Sequence, residues 1–365
     1  MKRKFGSSFD TILFIDIIIL SLFGLIMIFS ASSPSAFTLY GDSFYFVKKQ
    51  LIWTVLGFGA LFIFASFDYK LYKKYAGIIY IIDIIALLLV LAIGVETKGA
   101  KRWINLGFST VQPSEFTKIA IVITLAVYFT TMKNVKQTFK NVYLPLAALV
   151  GIPCIFLILQ PHFSVIIIIG LTVFGMLIAY GLQFKFYVPI IAAGVPAAIA
   201  LVVMEPYRLQ RVTAFLDPFK DKLGDGWQIV QSLYAIGSGG IMGLGLSRSK
   251  QKHLYIPEPQ NDFIYSIVCE ELGLIGAIIV IALFAILLWR CVKIASSCED
   301  EFGTYLAFGM GALIIVQVLL NIAVATSSIP PTGVPLPFFS AGGSSFLFQM
   351  VAMGIVLNVS RRRNY

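Results

Sequence analysis

Asp262 closes the stretch Tyr255-Ile256-Pro257-Glu258-Pro259-Gln260-Asn261-Asp262 and stands where a long apolar run begins. The two prolines hold the approach extended, so the carboxylate falls at a helix mouth. There it can act as a general base on a hydroxyl or as a ligand to a divalent cation. An ordinary helix N-cap is the plainer alternative. Glu270 follows eight residues later, roughly 12 Å along a helix axis, which argues against a carboxylate pair flanking one glycosidic bond.

The cations suggest chemistry of the opposite sign. Arg208 and Arg211 are three apart and, on a helix, would form a two-pronged phosphate clamp. Arg102, followed by Trp103, adds a guanidinium, and Lys250 and Lys252 precede Asp262. In Gln112-Pro113-Ser114-Glu115-Phe116-Thr117-Lys118, Pro113 marks a helix start, and Glu115 and Lys118 share a face. Ionisable groups at a membrane helix end are functional candidates; a mutual ion pair is the other reading. Gly237, Gly239, Gly240, Gly243 and Gly245 permit close backbone approach to an anion, or simply a turn. No Walker-type pattern follows, so ATP-driven pumping has no support. His162 and His253 are the only histidines, which excludes a His-rich metal centre, and the four cysteines show no metal-ligand spacing.

These residues must be held by elements that composition defines clearly. Of 365 residues, 58% are hydrophobic and only 13% charged, about half the charge of a soluble domain. Apolar runs predict an all-α membrane protein with about ten transmembrane helices and long extracytoplasmic loops. The spans are expected near 11–31, 47–66, 76–95, 115–131, 142–159, 163–180, 187–204, 262–290, 303–327 and 344–360. The basic start Met1-Lys2-Arg3-Lys4 precedes an apolar stretch too long for a cleavable signal. It reads as a retained first helix.

Short basic loops mark the cytoplasmic side. Lys70, Lys73 and Lys74, then Lys133, Lys136 and Lys140, then Lys185, Arg290, Lys293 and the tail Arg361-Arg362-Arg363 all fall on the side of the N-terminus. Both termini are therefore expected in the cytoplasm. The remaining cations, Lys98 and Lys222 among them, fall outside. They are either ordinary solvated loop charges or a basic surface for an anionic ligand. No linker or separate soluble domain is evident. Residues 1–365 read as one polytopic membrane domain, with 205–261 a large extracytoplasmic loop within it.

Taken in order, Lys98–Ile104, Gln112–Lys118, Arg211–Pro218, Gly226–Gly245, Ser249–Asp262, Glu270–Gly273 and Pro335–Ser345 strongly resemble the SEDS (shape, elongation, division and sporulation) family, the FtsW/RodA/SpoVE proteins. The wording of 227–245 and 249–262 is closer to the FtsW/SpoVE branch. The resemblance implies ten helices with both termini cytoplasmic. It implies a peptidoglycan glycosyltransferase in the bacterial cytoplasmic membrane, polymerising lipid II on the outer face for division or sporulation. A class B penicillin-binding protein is the implied partner, alongside membrane lipids and with no nucleic acid. The family's loop aspartate matches Asp262, its Arg-Trp pair Arg102-Trp103, and its Gln-Pro-Ser-Glu…Lys motif Gln112, Glu115 and Lys118. The chain departs from the pattern where Gln160-Pro161-His162 replaces Gln-Pro-Asp. It departs again where Asn321–Thr326 replaces a glycine-containing version, and where Ser340-Ala341-Gly342-Gly343 lacks the usual Tyr.

On this reading Asp262 is the catalytic base, or a ligand to a divalent cation, no cofactor being certain. Arg102, Lys118, Arg208, Arg211, Lys250 and Lys252 are candidates for holding the departing pyrophosphate. Trp103, Gln112 and Glu115 support them, Trp103 as a sugar platform or an interfacial anchor. Two other classes stay open: a lipid II flippase, for which Asp83 would suit a transport path, and a non-catalytic scaffold for a penicillin-binding protein.

Overall fold

A computed structural model describes residues 9–361 apart from 98, 99, 106, 108, 109, 221–223, 225 and 254. Lys2, Arg3, Lys4, Lys98, Lys222, Arg362 and Arg363 therefore lie outside the described residues. Among the described residues, ten helical segments are long and apolar enough to cross a membrane. In order they are α1 (Thr11–Tyr40), α2 (Tyr45–Ser66), α3 (Lys70–Ile93), α4 (Pro113–Met132), the pair α5 (Phe139–Leu146) and α6 (Ile152–Leu159), α7 (Phe163–Tyr180), α8 (Tyr187–Val203) with the short turn before it, α11 (Ile264–Ser296), α12 (Glu301–Ala325) and α13 (Gly343–Ser360). Two further helices, α9 (Pro206–Leu216) and α10 (Trp227–Gly239), occupy the large loop between the seventh and eighth spans.

Most expected spans match these helices closely, and the differences have local causes. The first helix was expected to end near residue 31 but continues to Tyr40. Serines lower the hydropathy there, yet Ser32 Oγ donates to Ile28 O at 2.7 Å and Thr38 Oγ1 to Pro34 O at 3.0 Å. These hydroxyls turn back onto helix carbonyls and leave the helix intact. In the fifth span, Pro145 and Pro153 flank a π-helical turn over Ala147–Gly151 that joins α5 to α6. A proline removes a helical donor, and such a bulge is one way to absorb the loss. A small antiparallel sheet, β1 (Val95–Thr97), β2 (Ala100–Asn105) and β3 (Thr110–Val111), was not expected, and it carries Arg102 and Trp103.

The two ends of the described chain meet on one face. Asp10 N donates to Ser360 Oγ at 3.0 Å, and Arg290 Nε donates to Asp10 Oδ1 at 3.1 Å, with a second contact from its Nη2 to Oδ2. In hydrocarbon every polar group needs an internal partner. Asn358 supplies one at this face, donating to Ala65 O and accepting from Tyr69 N.

At the opposite face α11 is interrupted. Gly273 has φ 65°, ψ −160°, and the ladder breaks around it. The freed carbonyls of Glu270 and Glu271 accept from Leu244 N and Gly245 N at 2.9 Å, while Leu274 N and Ile275 N donate to Gly240 O and Ile241 O. Such close backbone approach needs glycine, since a Cβ on Gly243 would lie 2.2 Å from Glu271 O, and one on Gly273 2.4 Å from Gly243 N. The loop after α10 is thus paired strand-like onto the broken helix. It fixes the first turns of α11, immediately after Asp262.

Candidate functional site

Asp262 is half-buried and precedes α11 by two residues. The position that caps the helix is Phe263, without a side-chain cap bond, so the N-cap reading does not describe Asp262. Its backbone carbonyl accepts from Asn321 Nδ2 on α12 at 2.8 Å. Its carboxylate faces the loop before α13, where a Cβ on Gly333 would stand 3.4 Å from Oδ2. The same loop reaches the arginines, because Arg211 Nη1 donates to Pro331 O at 3.1 Å. Arg211 therefore bonds the same short strap of backbone that the Asp262 carboxylate faces.

Arg208 and Arg211 lie one turn apart on α9, as the helical clamp requires. Arg208 donates to Leu201 O at 2.6 Å and lies over the Phe163 ring, while Arg211 bonds the Tyr207 hydroxyl and lies over that ring. Arg102 reaches in from β2, its Nη2 donating to Pro161 O at 2.5 Å and its Nε to Gln160 O at 3.3 Å. Burial and the neighbouring guanidinium of Arg208, with a further contribution from Arg211, hold Arg102 below arginine's ordinary range. Arginine remains protonated nonetheless, so the shift reflects first the burial of the charge and then its cationic neighbours. Among the described residues, none of the three has a carboxylate within ion-pair distance. Their bonds go to carbonyls and to one phenol. Three guanidiniums that feel one another's charge, with no carboxylate counter-ion among the described residues, leave positive charge available to a multiply charged anion.

The other candidate cations are placed differently. Lys118 is buried and pairs with Glu115 at 2.9 Å, donating also to Gln317 Oε1 at 3.1 Å. The ion-pair alternative for Glu115 and Lys118 is therefore what the structure displays. Lys252 is likewise buried, 2.8 Å from Glu271 Oε1 and 3.3 Å from Ser30 Oγ. Its charge is paired inside the protein with Glu271, whereas the sequence placed it among the candidate anion-binding cations. Lys250 has an exposed side chain, and only its backbone N–H is fixed, donating to Glu270 Oε1 at 2.8 Å. Trp103 is half-buried in β2 opposite Val95.

Gln112, just ahead of α4, meets a residue to which the sequence assigned no role. Its Nε2 lies 3.3 Å from His162 Nε2. His162 is buried; desolvation, then the cations Arg102 and Lys118, pull its imidazole down to about 3, so the ring is neutral. Asn321, Gly333, Glu270 and Glu271 also hold the site together without an assigned role. Polar side chains inside apolar helical text were the available signal for Glu270, Glu271 and Asn321. For Gly333 there was none.

A divalent cation at Asp262 would need several hard oxygen ligands. Among the described residues no three His, Cys, Asp or Glu side chains gather in one place.

Comparison with known proteins agrees with this architecture. The profile of the FtsW, RodA and SpoVE family, described as cell cycle proteins, matches residues 10–365. The chain is 38% identical over 358 residues to stage V sporulation protein E of Bacillus subtilis (strain 168), covering 98% of each. It is 39% identical over 356 residues to the probable peptidoglycan glycosyltransferase FtsW of Trichlorobacter lovleyi, covering 97% of this chain and 93% of that one. Among solved structures it matches a chain from work on the structural coordination of polymerization and crosslinking by a peptidoglycan synthase complex. That match has TM-score 0.80 and 27% identity, and covers 97% of this chain and 98% of that one. Thermus thermophilus RodA shares the fold, with TM-score 0.74 at 23% identity over 98% and 99% of the two chains.

Proposed function

The chain belongs to the FtsW, RodA and SpoVE family of cell cycle proteins, and from that membership we propose that it is a peptidoglycan glycosyltransferase that polymerises lipid II for division or sporulation. The observation that carries this reading is the strap Pro331–Gly333, bonded by Arg211 at Pro331 O and faced by the Asp262 carboxylate at Gly333. An acid and an arginine cluster that has no carboxylate partner among the described residues, at one membrane face, suit a sugar transfer that expels a lipid diphosphate.

The acceptor's 4-hydroxyl attacks the anomeric carbon of the lipid-linked donor, forming a C–O bond as the bond to the diphosphate breaks. Asp262 takes the hydroxyl proton, and general-base assistance of this kind contributes ~100–10,000-fold. The diphosphate leaves as a stable anion and needs no acid. Arg102, Arg208 and Arg211 stabilise it by charge already oriented before reaction. The neutral ring of His162 adds no further positive charge beside Arg102. Glu115 and Lys118 form a closed pair within α4, and Lys118 also donates to Gln317 Oε1, which ties the first turns of α4 to α12.

The site faces outward, and the face where Asp10 meets Ser360 is cytoplasmic. The short basic loops carrying Lys70, Lys73 and Lys74, and Lys133, Lys136 and Lys140, support this orientation. A class B penicillin-binding protein is the expected partner, a reading supported by the likeness to a chain of a peptidoglycan synthase complex. Purified protein supplied with lipid II, with and without that partner, tests the proposal. New glycan strands are expected; translocation without polymer would make the protein a flippase, and neither would leave a scaffold.

A further inference from the structure

Asn321 lies near the end of α12, only 1% exposed, where an unsatisfied amide is costly. Its Nδ2 carries two hydrogens, and both are used: one bond of 2.8 Å goes to Asp262 O and another of 2.8 Å to Val334 O. Two such bonds, splayed by roughly 120° at one nitrogen, hold those carbonyl oxygens about 5 Å apart. Its Oδ1 has no partner among the described residues. Donation alone therefore orients this side chain.

A buried asparagine in a membrane helix more often serves as glue between two helices. Here both acceptors lie outside the helices, one at Asp262 itself and one in the strap before α13. That strap is gripped at three carbonyls by side chains from three helices: Pro331 O by Arg211 of α9, Thr332 O by Ser164 of α7, and Val334 O by Asn321 of α12. Gly333 is left in the middle, facing the Asp262 carboxylate with φ +70°. A Cβ there would meet Oδ2 at an ordinary 3.4 Å. Backbone conformation, rather than lack of space, calls for glycine.

We propose that Asn321 is a positioning residue: its amide is a cross-brace that fixes the Asp262 carboxylate relative to the strap and so to the Arg211 guanidinium. The inference rests on the reading of Asp262 as the base. Spacing between proton acceptor and anion site is a property of the transition state, because the attacking hydroxyl and the departing diphosphate lie on opposite sides of one carbon. A misplacement near 1 Å costs on the order of 100-fold in rate, while ground-state binding of the diphosphate is untouched.

The test uses the full-length protein with lipid II and follows kcat and KM separately, with a thermal melt for each variant. Asn321→Ala should lower kcat by ~100-fold and leave KM unchanged. Gly333→Ala disturbs the strap without touching the buried amide and should act in the same direction; it decides the matter if Asn321→Ala does not fold. In the background of Asp262→Ala, adding Asn321→Ala should cost nothing more, since the brace would have nothing to place. Folded Asn321→Ala and Gly333→Ala proteins with wild-type kcat, beside an inactive Asp262→Ala, overturn the brace and leave the base standing. An effect of Asn321→Ala on KM alone overturns it as well. Normal polymerisation by Asp262→Ala removes base and brace together, a result recognisably different from the other two.

Discussion

Lys252 Nζ lies 2.8 Å from Glu271 Oε1, and both side chains are almost completely withdrawn from solvent. The pair is closed by Ser30, which donates to Glu271 Oε2 at 2.5 Å. Beside it Glu270, also fully buried, receives the Ser249 hydroxyl and the Lys250 N–H. Two adjacent acids thus tie the segment leading to Asp262 onto the helix that follows it.

Removing one partner of such a pair strands a buried charge. Lys252→Met should destabilise the protein by about 3–5 kcal/mol, read as a lower melting temperature in detergent, with KM for lipid II unchanged in whatever protein remains folded. Adding Glu271→Gln should restore most of the loss. A Lys252→Met protein of normal stability with raised KM would return this lysine to the anion site.

Asp262→Ala should remain folded in a thermal melt, since the carboxylate is half-exposed and the variant keeps the backbone carbonyl that Asn321 bonds. Its turnover should fall by ~100–10,000-fold. Lipid II polymerisation by purified protein checks this, and a folded variant with normal turnover would refute the base.

Arg211→Ala removes a guanidinium that has no carboxylate partner among the described residues, so no buried acid is left stranded. It should weaken lipid II use by about ten-fold, as loss of one charge-assisted bond does. Free pyrophosphate should also inhibit this variant less than the wild type. Unchanged inhibition would count against the clamp.

His162 gives a pH signature. Its folded-state value, drawn down to about 3 by burial and by Arg102 and Lys118, lies below the unfolded value near 6.5. The unfolded chain then binds the extra proton first, so stability from this group is full above about pH 6.5 and declines as pH falls toward 3. Melting temperatures of wild type and His162→Asn should diverge in that window, with the asparagine variant falling less steeply. Parallel curves would contradict a neutral buried ring.

The ten spans were legible because hydrocarbon imposes length and composition directly on the chain. Arg208 and Arg211 were legible as a helical pair because their relation is local. The union of Asp262 with Asn321 was not, since it joins residues 59 positions apart through a backbone carbonyl. Nor could spacing tell that Lys252 turns inward while Arg211 does not. Both are cations in a polar loop, and only the three-dimensional placement of Glu271 separates them. The serines of α1 were misleading for a related reason: hydropathy counts a hydroxyl as exposed whether or not it folds back onto its own helix.

The break at Gly273 has a mechanical meaning. A continuous rod would carry Asp262 along with every tilt that a thicker or thinner bilayer imposes on the lower part of α11. Here the rod is cut, and its upper stub is pinned to the turn after α10, while α12 holds the residue just ahead of it. The acid is suspended from its neighbours like a lamp on brackets, and the height of the site is set by the surrounding scaffold.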